Sequence, residues 1–271
     1  MHVITGLPRS GSTLLCNILN QNPNFWASST SILPQLWGNM ISNWSNSVEI
    51  KGALSLDRSG TEDRLRRSLK AFCDSWHFRD DGRKIVFDKS RGWLHNILSL
   101  REVYPDSKII ITVRDLRSIF SSVEKQHRKT ALLDDSRSSK EKTIYDRADK
   151  MFSDKGLIGG PLSGIEDVLR RRLDNIYWVK YEEFSKSPEL IMHQLYLYLE
   201  ETPFTHDFDN VINTATDPDA YYNFKFPHRG EGKVVPVAED DWKDFIIPEL
   251  ASKIMNSHPY FNAHLYPSIN V

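Results

Sequence analysis

The chain has 271 residues, 39% of them hydrophobic and 11% aromatic, with 35 basic side chains against 36 acidic ones. That composition is globular, and the net charge of −1 excludes a general attraction to nucleic acid or to an anionic membrane surface. Cys16 and Cys73 are too few for a disulfide framework, and none of the nine histidines is spaced as a metal-binding pair.

Met1-His2 leads directly into an apolar run, and no run approaches the roughly 20 residues needed to span a bilayer. A cytoplasmic protein without a membrane partner is the expectation. Val3-Ile4-Thr5 reads as a strand, and Thr13 to Gln21 as a helix ended by Asn22-Pro23. Between them lies Gly6-Leu7-Pro8-Arg9-Ser10-Gly11-Ser12-Thr13. Two glycines let the backbone approach an anion, the first helical N–H groups point outward unpaired, and the helix dipole adds partial positive charge. Pro8, Arg9, Ser10, Gly11, Ser12 and Thr13 are therefore candidates for an anion cradle. Gly6, Gly11 and Thr13 follow a P-loop frame, but Ser12 occupies the place of its lysine, and the cation of the loop is Arg9. Taken alone, the loop fits a nucleotide site and a simple helix cap equally well.

Asn24 to Ser31 reads as a polar turn, followed by two amphipathic helices over Ile32–Ser45 and Arg64–His77. The polar stretch between them, Ser47 to Asp63, reads as a loop bordering an acceptor cleft. Lys84 to Phe87 is a short strand with Asp88 and Lys89 at its carboxyl end, where open α/β sheets bind ligands. A helix to Val103 precedes the clearest strand, Lys108 to Val113, which ends at Arg114 and Asp115 and runs into a helix carrying Ser118, Ser121 and Ser122. Glu124 to Lys150 reads as a solvated charged surface, Met151 to Gly164 as a loop, and Ile165 to Leu173 as a helix. Asn175 to Lys180 is a further strand, leading into Tyr181-Glu182-Glu183-Phe184 and a helix over Leu190–Leu199. The last quarter is irregular and aromatic, with Arg229 and Lys233 in a basic Gly-containing loop and a final helix over Trp242–Ile254.

Strands alternating with helices predict an α/β fold: a P-loop-like three-layer domain whose central parallel sheet is flanked by helices. One domain spans 1–271, with insertions at about 45–63 and 128–163 and an irregular part over 203–271.

The Pro-Arg-Ser-Gly-Ser-Thr loop on a strand-to-helix turn resembles the 5′-phosphosulfate loop of sulfotransferases that use 3′-phosphoadenosine 5′-phosphosulfate (PAPS) as donor and release 3′,5′-bisphosphate (PAP). It is most similar to the tyrosylprotein branch, which has Pro-Arg-Ser-Gly-Thr-Thr-Leu. The resemblance implies that Lys89 stabilises the sulfuryl group, and that Arg114 with Ser122, eight positions later, binds the 3′-phosphate. A guanidinium fork and a hydroxyl suit that anion. It further implies that Tyr181 contacts the adenosine, with Glu182 a structural capping acid, and that Arg229 and Lys233 close over the nucleotide. In the tyrosylprotein branch a Glu serves as base where this chain has Ser29 and Thr30.

The implied reaction transfers a sulfuryl group to a hydroxyl or amine of a small-molecule, glycan or peptide acceptor, with Arg9 and Lys89 stabilising charge and no metal. Asp88, His95 and His127 are candidates for the base, with Asp88 preferred for its position beside Lys89. A P-loop kinase using ATP and magnesium, or a non-catalytic nucleotide-binding protein, are the alternatives.

Overall fold

In a computed structural model of the chain, describing residues 1–129, 143–215, 217, 219, 227, 230–238 and 240–267, the strands form one parallel sheet. They are β1 (His2–Gly6), β2 (Phe25–Ala27), β3 (Ile85–Lys89), β4 (Ile109–Val113) and β5 (Ile176–Lys180), in the order β2-β3-β1-β4-β5. The order reverses direction at β1, so the loop after β1 opens at a switch point, where α/β sheets leave a crevice. The register aligns Ile4 with Lys89, Gly6 with Thr112 and Val113 with Lys180. Arg9, Lys89, Arg114 and Tyr181 thus emerge along one edge.

Alternation along the strands sends their side chains into two separate cores. Val3, Ile109, Ile111 and Val113 pack on one face, against residues of α2 (Leu33–Asn46), α4 (Arg58–Trp76), α5 (Ile97–Val103), α6 (Leu116–Lys129), α8 (Gly159–Arg170), α11 (Pro248–Ser257) and α12 (Pro259–Leu265). Ile4, Phe87, Ile110 and Val179 pack on the other, against α1 (Ser12–Leu19) and α10 (Pro188–Leu199). All five residues of β4 are buried, as expected of a central strand covered on both sides. This is the expected three-layer α/β architecture.

Several local expectations are corrected. The stretch read as a loop over Ser47–Asp63 is helical: α3 (Val48–Leu56) starts at an N-cap where Ser47 accepts the Ile50 N–H, and α4 starts where Asp57 accepts the Gly60 N–H. The polar residues there are helix caps, a role that sequence alone does not separate from turn residues. Phe25–Ala27, read as part of a turn, is the edge strand β2. α7 (Ile144–Phe152) begins in a Thr143/Asp146 capping box, and α8 begins at Gly159, inside the supposed loop. A Cβ on Gly159 would lie 2.2 Å from the Ser153 carbonyl oxygen, so this glycine serves the close approach of two helices. The helix expected over Trp242–Ile254 starts only at Pro248, as α11, and a further helix, α12, follows it; each is opened by a proline. Glu124, read as part of a solvated surface, is buried and held by Arg147 and Arg128.

Candidate active site

The turn after β1 is built by its glycines. Gly6 has φ 137° and would place a Cβ 2.0 Å from the Thr112 carbonyl oxygen, so only glycine lets the loop cross β4 this closely. Arg9 adopts φ 59° in the left-handed region, and Gly11 follows at φ 81°, where a Cβ would meet the Tyr181 ring at 2.4 Å. Gly11 caps α1 without any side-chain hydrogen bond, and the first turn of α1 holds no acidic residue. Amides without a side-chain cap and the positive end of the helix dipole are features that suit an anion.

Ser10 has a different task from its expected one. Its hydroxyl is buried, donating to the Leu7 carbonyl at 2.6 Å and lying 2.7 Å from Thr112 Oγ1, so it braces the loop from beneath. Pro8 and Ser12 are partly exposed on the loop, and Thr13 opens α1 with its hydroxyl in the cleft.

At one end of the cradle, Arg114 lies on the Tyr181 ring, its guanidinium carbon 4.8 Å from the ring centroid. It donates to the Arg9 carbonyl at 3.2 Å. Arg9 Nε donates to Ser122 Oγ at 3.2 Å, and Arg9 Nη1 to the Pro227 carbonyl at 3.1 Å. Arg9, Arg114, Ser122 and Tyr181 are brought into one cluster. The hydroxyl in line with Arg114, however, is Ser118: Arg114 Nη2 and Ser118 Oγ each donate to Asp241, both at 2.5 Å. Neither Ser118 nor Asp241 was assigned a role from sequence. Asp241 belongs to a segment with no periodic signal.

At the other end, Lys89 Nζ donates to Thr13 Oγ1 at 2.8 Å, and its backbone N–H donates to Ser28 Oγ at 2.9 Å. The Asp217 carboxylate completes this group. Oδ2 accepts from Thr13 Oγ1 at 3.0 Å and stands 3.5 Å from Lys89 Nζ, while Oδ1 accepts from Thr30 Oγ1 at 2.5 Å. Asp217 is held there through Asn17 of α1, which is buried. The Asn17 amide donates to the Gly230 carbonyl at 2.6 Å and accepts from the Thr214 and Ala215 N–H groups at 3.0 and 2.7 Å. An antiparallel bridge between Val211 and Gly232 closes the base of this excursion.

The remaining expected residues lie elsewhere. Asp88 is corrected as the base: it alternates with Lys89 on β3 and points to the opposite face, fully buried, accepting from Trp93 Nε1 at 2.6 Å with His77 Nε2 at 2.9 Å. His127 lines a cavity of about 570 Å³ beside Glu124, Arg128 and Arg147. His95 lines another of about 340 Å³ against Gly164 of α8. Lys233 pairs with Asp209 at 2.7 Å, both side chains being exposed. Arg229 lies outside the described residues. Glu182 accepts the Asp115 N–H at 2.9 Å and the Tyr266 hydroxyl at 3.0 Å, tying β4, α9 (Tyr181–Lys186) and α12 together. Burial pushes the thiols of Cys16 and Cys73 up to about 12, which removes both as nucleophiles.

Arg114 and Lys89 thus flank the turn after β1 at its two ends. Residues 3–206 match the model of the Sulfotransferase family, and the chain belongs to that family. Its fold is similar to the sulfotransferase domain of the Synechococcus PCC 7002 olefin synthase, at 18% identity and TM-score 0.53, covering 96% of this chain and 94% of that one. It is likewise similar to the sulfotransferase domain of the curacin biosynthetic pathway, at 17% identity and TM-score 0.54, covering 96% and 97%. Retinol dehydratase, solved with androsterone and the inactive cofactor PAP, shares the fold at 14% identity and TM-score 0.52, covering 98% of this chain and 82% of that one. Among curated proteins, none matches the chain in sequence. Family membership favours sulfuryl transfer over the kinase reading. Among the described residues, no helix is long and apolar enough to cross a membrane.

Proposed function

We propose that this sulfotransferase takes PAPS as donor and transfers its sulfuryl group to a hydroxyl or amine of an acceptor, leaving PAP. The observation that carries the reading is that both ends of the cradle already act as anion receptors. Arg114 and Ser118 hold one carboxylate, and Lys89, Thr13 and Thr30 hold another, on either side of the uncapped start of α1. A nucleotide with phosphate on both its 3′ and 5′ positions presents anions with that separation of roles. Arg114 with Ser118 and Ser122 would hold the 3′-phosphate, Tyr181 would lie against the adenosine, and the Arg9–Thr13 amides would hold the 5′-phosphate. The donor supplies an activated sulfuryl group, and Arg9 and Lys89 supply the positive charge that favours its departure from phosphate.

The Pro8–Leu14 stretch supports a place near the tyrosylprotein branch, although Ser29 and Thr30 stand where that branch has its base. Two free, buried cysteines support a reducing compartment such as the cytoplasm. Calorimetry with PAP, AMP, and ATP with magnesium tests the donor: PAP is expected to bind most tightly. Tighter binding of ATP with magnesium would overturn the reading. A screen of alcohol, phenol and amine acceptors with labelled donor identifies the acceptor class.

A further inference from the structure

We infer that Asp217 is the catalytic base of the sulfuryl transfer. The inference rests on the donor reading above and extends it to the proton. Asp217 lies beyond the stretch that matches the family model, which ends at residue 206. It is supplied by this chain's own later segment.

Three observations converge on it. First, the carboxylate touches the reacting end of the cradle: its Oδ2 shares Thr13 Oγ1 with Lys89 Nζ, the cation placed for the sulfuryl group. Second, its Oδ1 accepts from Thr30 Oγ1 at 2.5 Å, and Thr30 is exposed, so this oxygen adjoins a residue open to solvent. The carboxylate thus joins Lys89 and Thr13 on one side to Thr30 on the other. Third, its placement is enforced. Its side chain is fully buried, and the chain on its N-terminal side is pinned to α1 by the two backbone N–H groups bonded to Asn17. Asp88 points away through the sheet, while His95 and His127 line separate cavities. A base must reach the acceptor proton within hydrogen-bond range, and of the acids and histidines considered, Asp217 stands beside Lys89 and Thr13.

Asp217 accepts the proton of the acceptor O–H as that oxygen forms its bond to sulfur. The bond from sulfur to the bridging phosphate oxygen breaks, and its electron pair leaves on the 5′-phosphate of PAP. Asp217 then returns the proton to solvent. Lys89 stands beside the carboxylate, where it faces the sulfuryl oxygens.

The test compares the wild type with Asp217→Asn and Asp217→Glu, using labelled PAPS with water and a set of alcohol, phenol and amine acceptors, alongside PAP binding by calorimetry. The Asn variant is expected to lose turnover by about 10²–10⁴-fold, the range of a lost general base. It should also lose the acidic limb of the pH–rate profile and bind PAP as tightly as the wild type or more so, because a negative charge has left the cradle. The Glu variant should recover part of the rate. Turnover of the Asn variant within about threefold of wild type, with tighter PAP binding, would show a carboxylate that only occupies an anion site. Parallel loss of PAP binding and turnover would show a structural role. Either result overturns the inference while leaving the donor reading intact, as would a wild type that binds PAP but transfers to no acceptor. A wild type that does not bind PAP overturns the donor reading and, with it, this one.

Discussion

Arg114 Nη2 donates to Asp241 Oδ2 across 2.5 Å, joining the end of β4 to a residue 127 positions later. The guanidinium that suits a 3′-phosphate is thus engaged by an internal carboxylate, which also holds Ser118. A phosphate entering here competes with Asp241. Replacing Asp241 with Asn should therefore tighten PAP by about tenfold, equivalent to about 1.4 kcal/mol, while leaving AMP nearly unchanged. Calorimetry with both nucleotides measures this, and equal gains for the two would place Asp241 outside the 3′-phosphate site.

Arg114→Ala should have the opposite effect. A charge-assisted hydrogen bond contributes about 1.5 to 3 kcal/mol, so PAP should weaken by about 10- to 150-fold relative to AMP. Equal weakening of both ligands would assign Arg114 to packing on Tyr181 rather than to phosphate.

Arg9→Ala should abolish measurable turnover while PAP still binds, because the loop amides and Arg114 remain in place to hold the nucleotide. Steady-state rates with labelled donor, together with PAP calorimetry on the same preparation, check the split. A variant with wild-type turnover would remove Arg9 from the chemistry.

Asn17→Ala severs the buried amide that holds both Gly230 and the Thr214–Ala215 backbone. With several bonds lost and backbone groups left unpaired, unfolding free energy should fall by about 2 to 4 kcal/mol, read from urea midpoints. Turnover should fall as well, since Asp217 follows this anchor closely in the chain. Unchanged turnover would mean that the excursion positions itself without Asn17.

Stability should decline in mild acid. Burial holds His2 at about 4, with repulsion from the N-terminal ammonium and Lys108 adding to the effect, and burial holds His206 at about 4 as well. Both lie below the ordinary 6.5, so the unfolded chain binds more protons in this interval and stability falls as pH drops from 6.5 toward 4. His2 Nδ1 accepts the Lys108 N–H at 2.9 Å, a bond that protonation of that nitrogen breaks. Urea midpoints at pH 7.5 and 5 should differ less for His2→Phe than for the wild type, and an equal difference would exclude His2 as a contributor.

Much of the cradle was legible because its causes are local. Glycines at Gly6 and Gly11, Arg114 at a strand end and Lys89 after an apolar run are local patterns, and strand alternation with helices sets a parallel sheet, whereas the spacing to Ser122 did not find the hydroxyl that shares Asp241 with Arg114, which is Ser118. The helices around Ser47 and Asp57 were misread because an N-cap and a turn use the same residues, and what distinguishes them is the tertiary packing of the helix that follows. Asp88 and Lys89 are neighbours in sequence, yet β-strand alternation sends them to opposite faces of the sheet, and only the packing on each face decides which one meets Thr13.

By itself the sequence placed a loop with a displaced positive charge, Arg9, between a strand and a helix in an α/β frame. The tertiary structure alone decided which carboxylates meet that cradle. Asp217 and Asp241 come from a stretch without periodicity, and they reach Thr13 and Arg114 across 204 and 127 residues through Asn17 and the sheet's register. Contacts at that separation depend on how the chain folds back on itself, which no local pattern encodes.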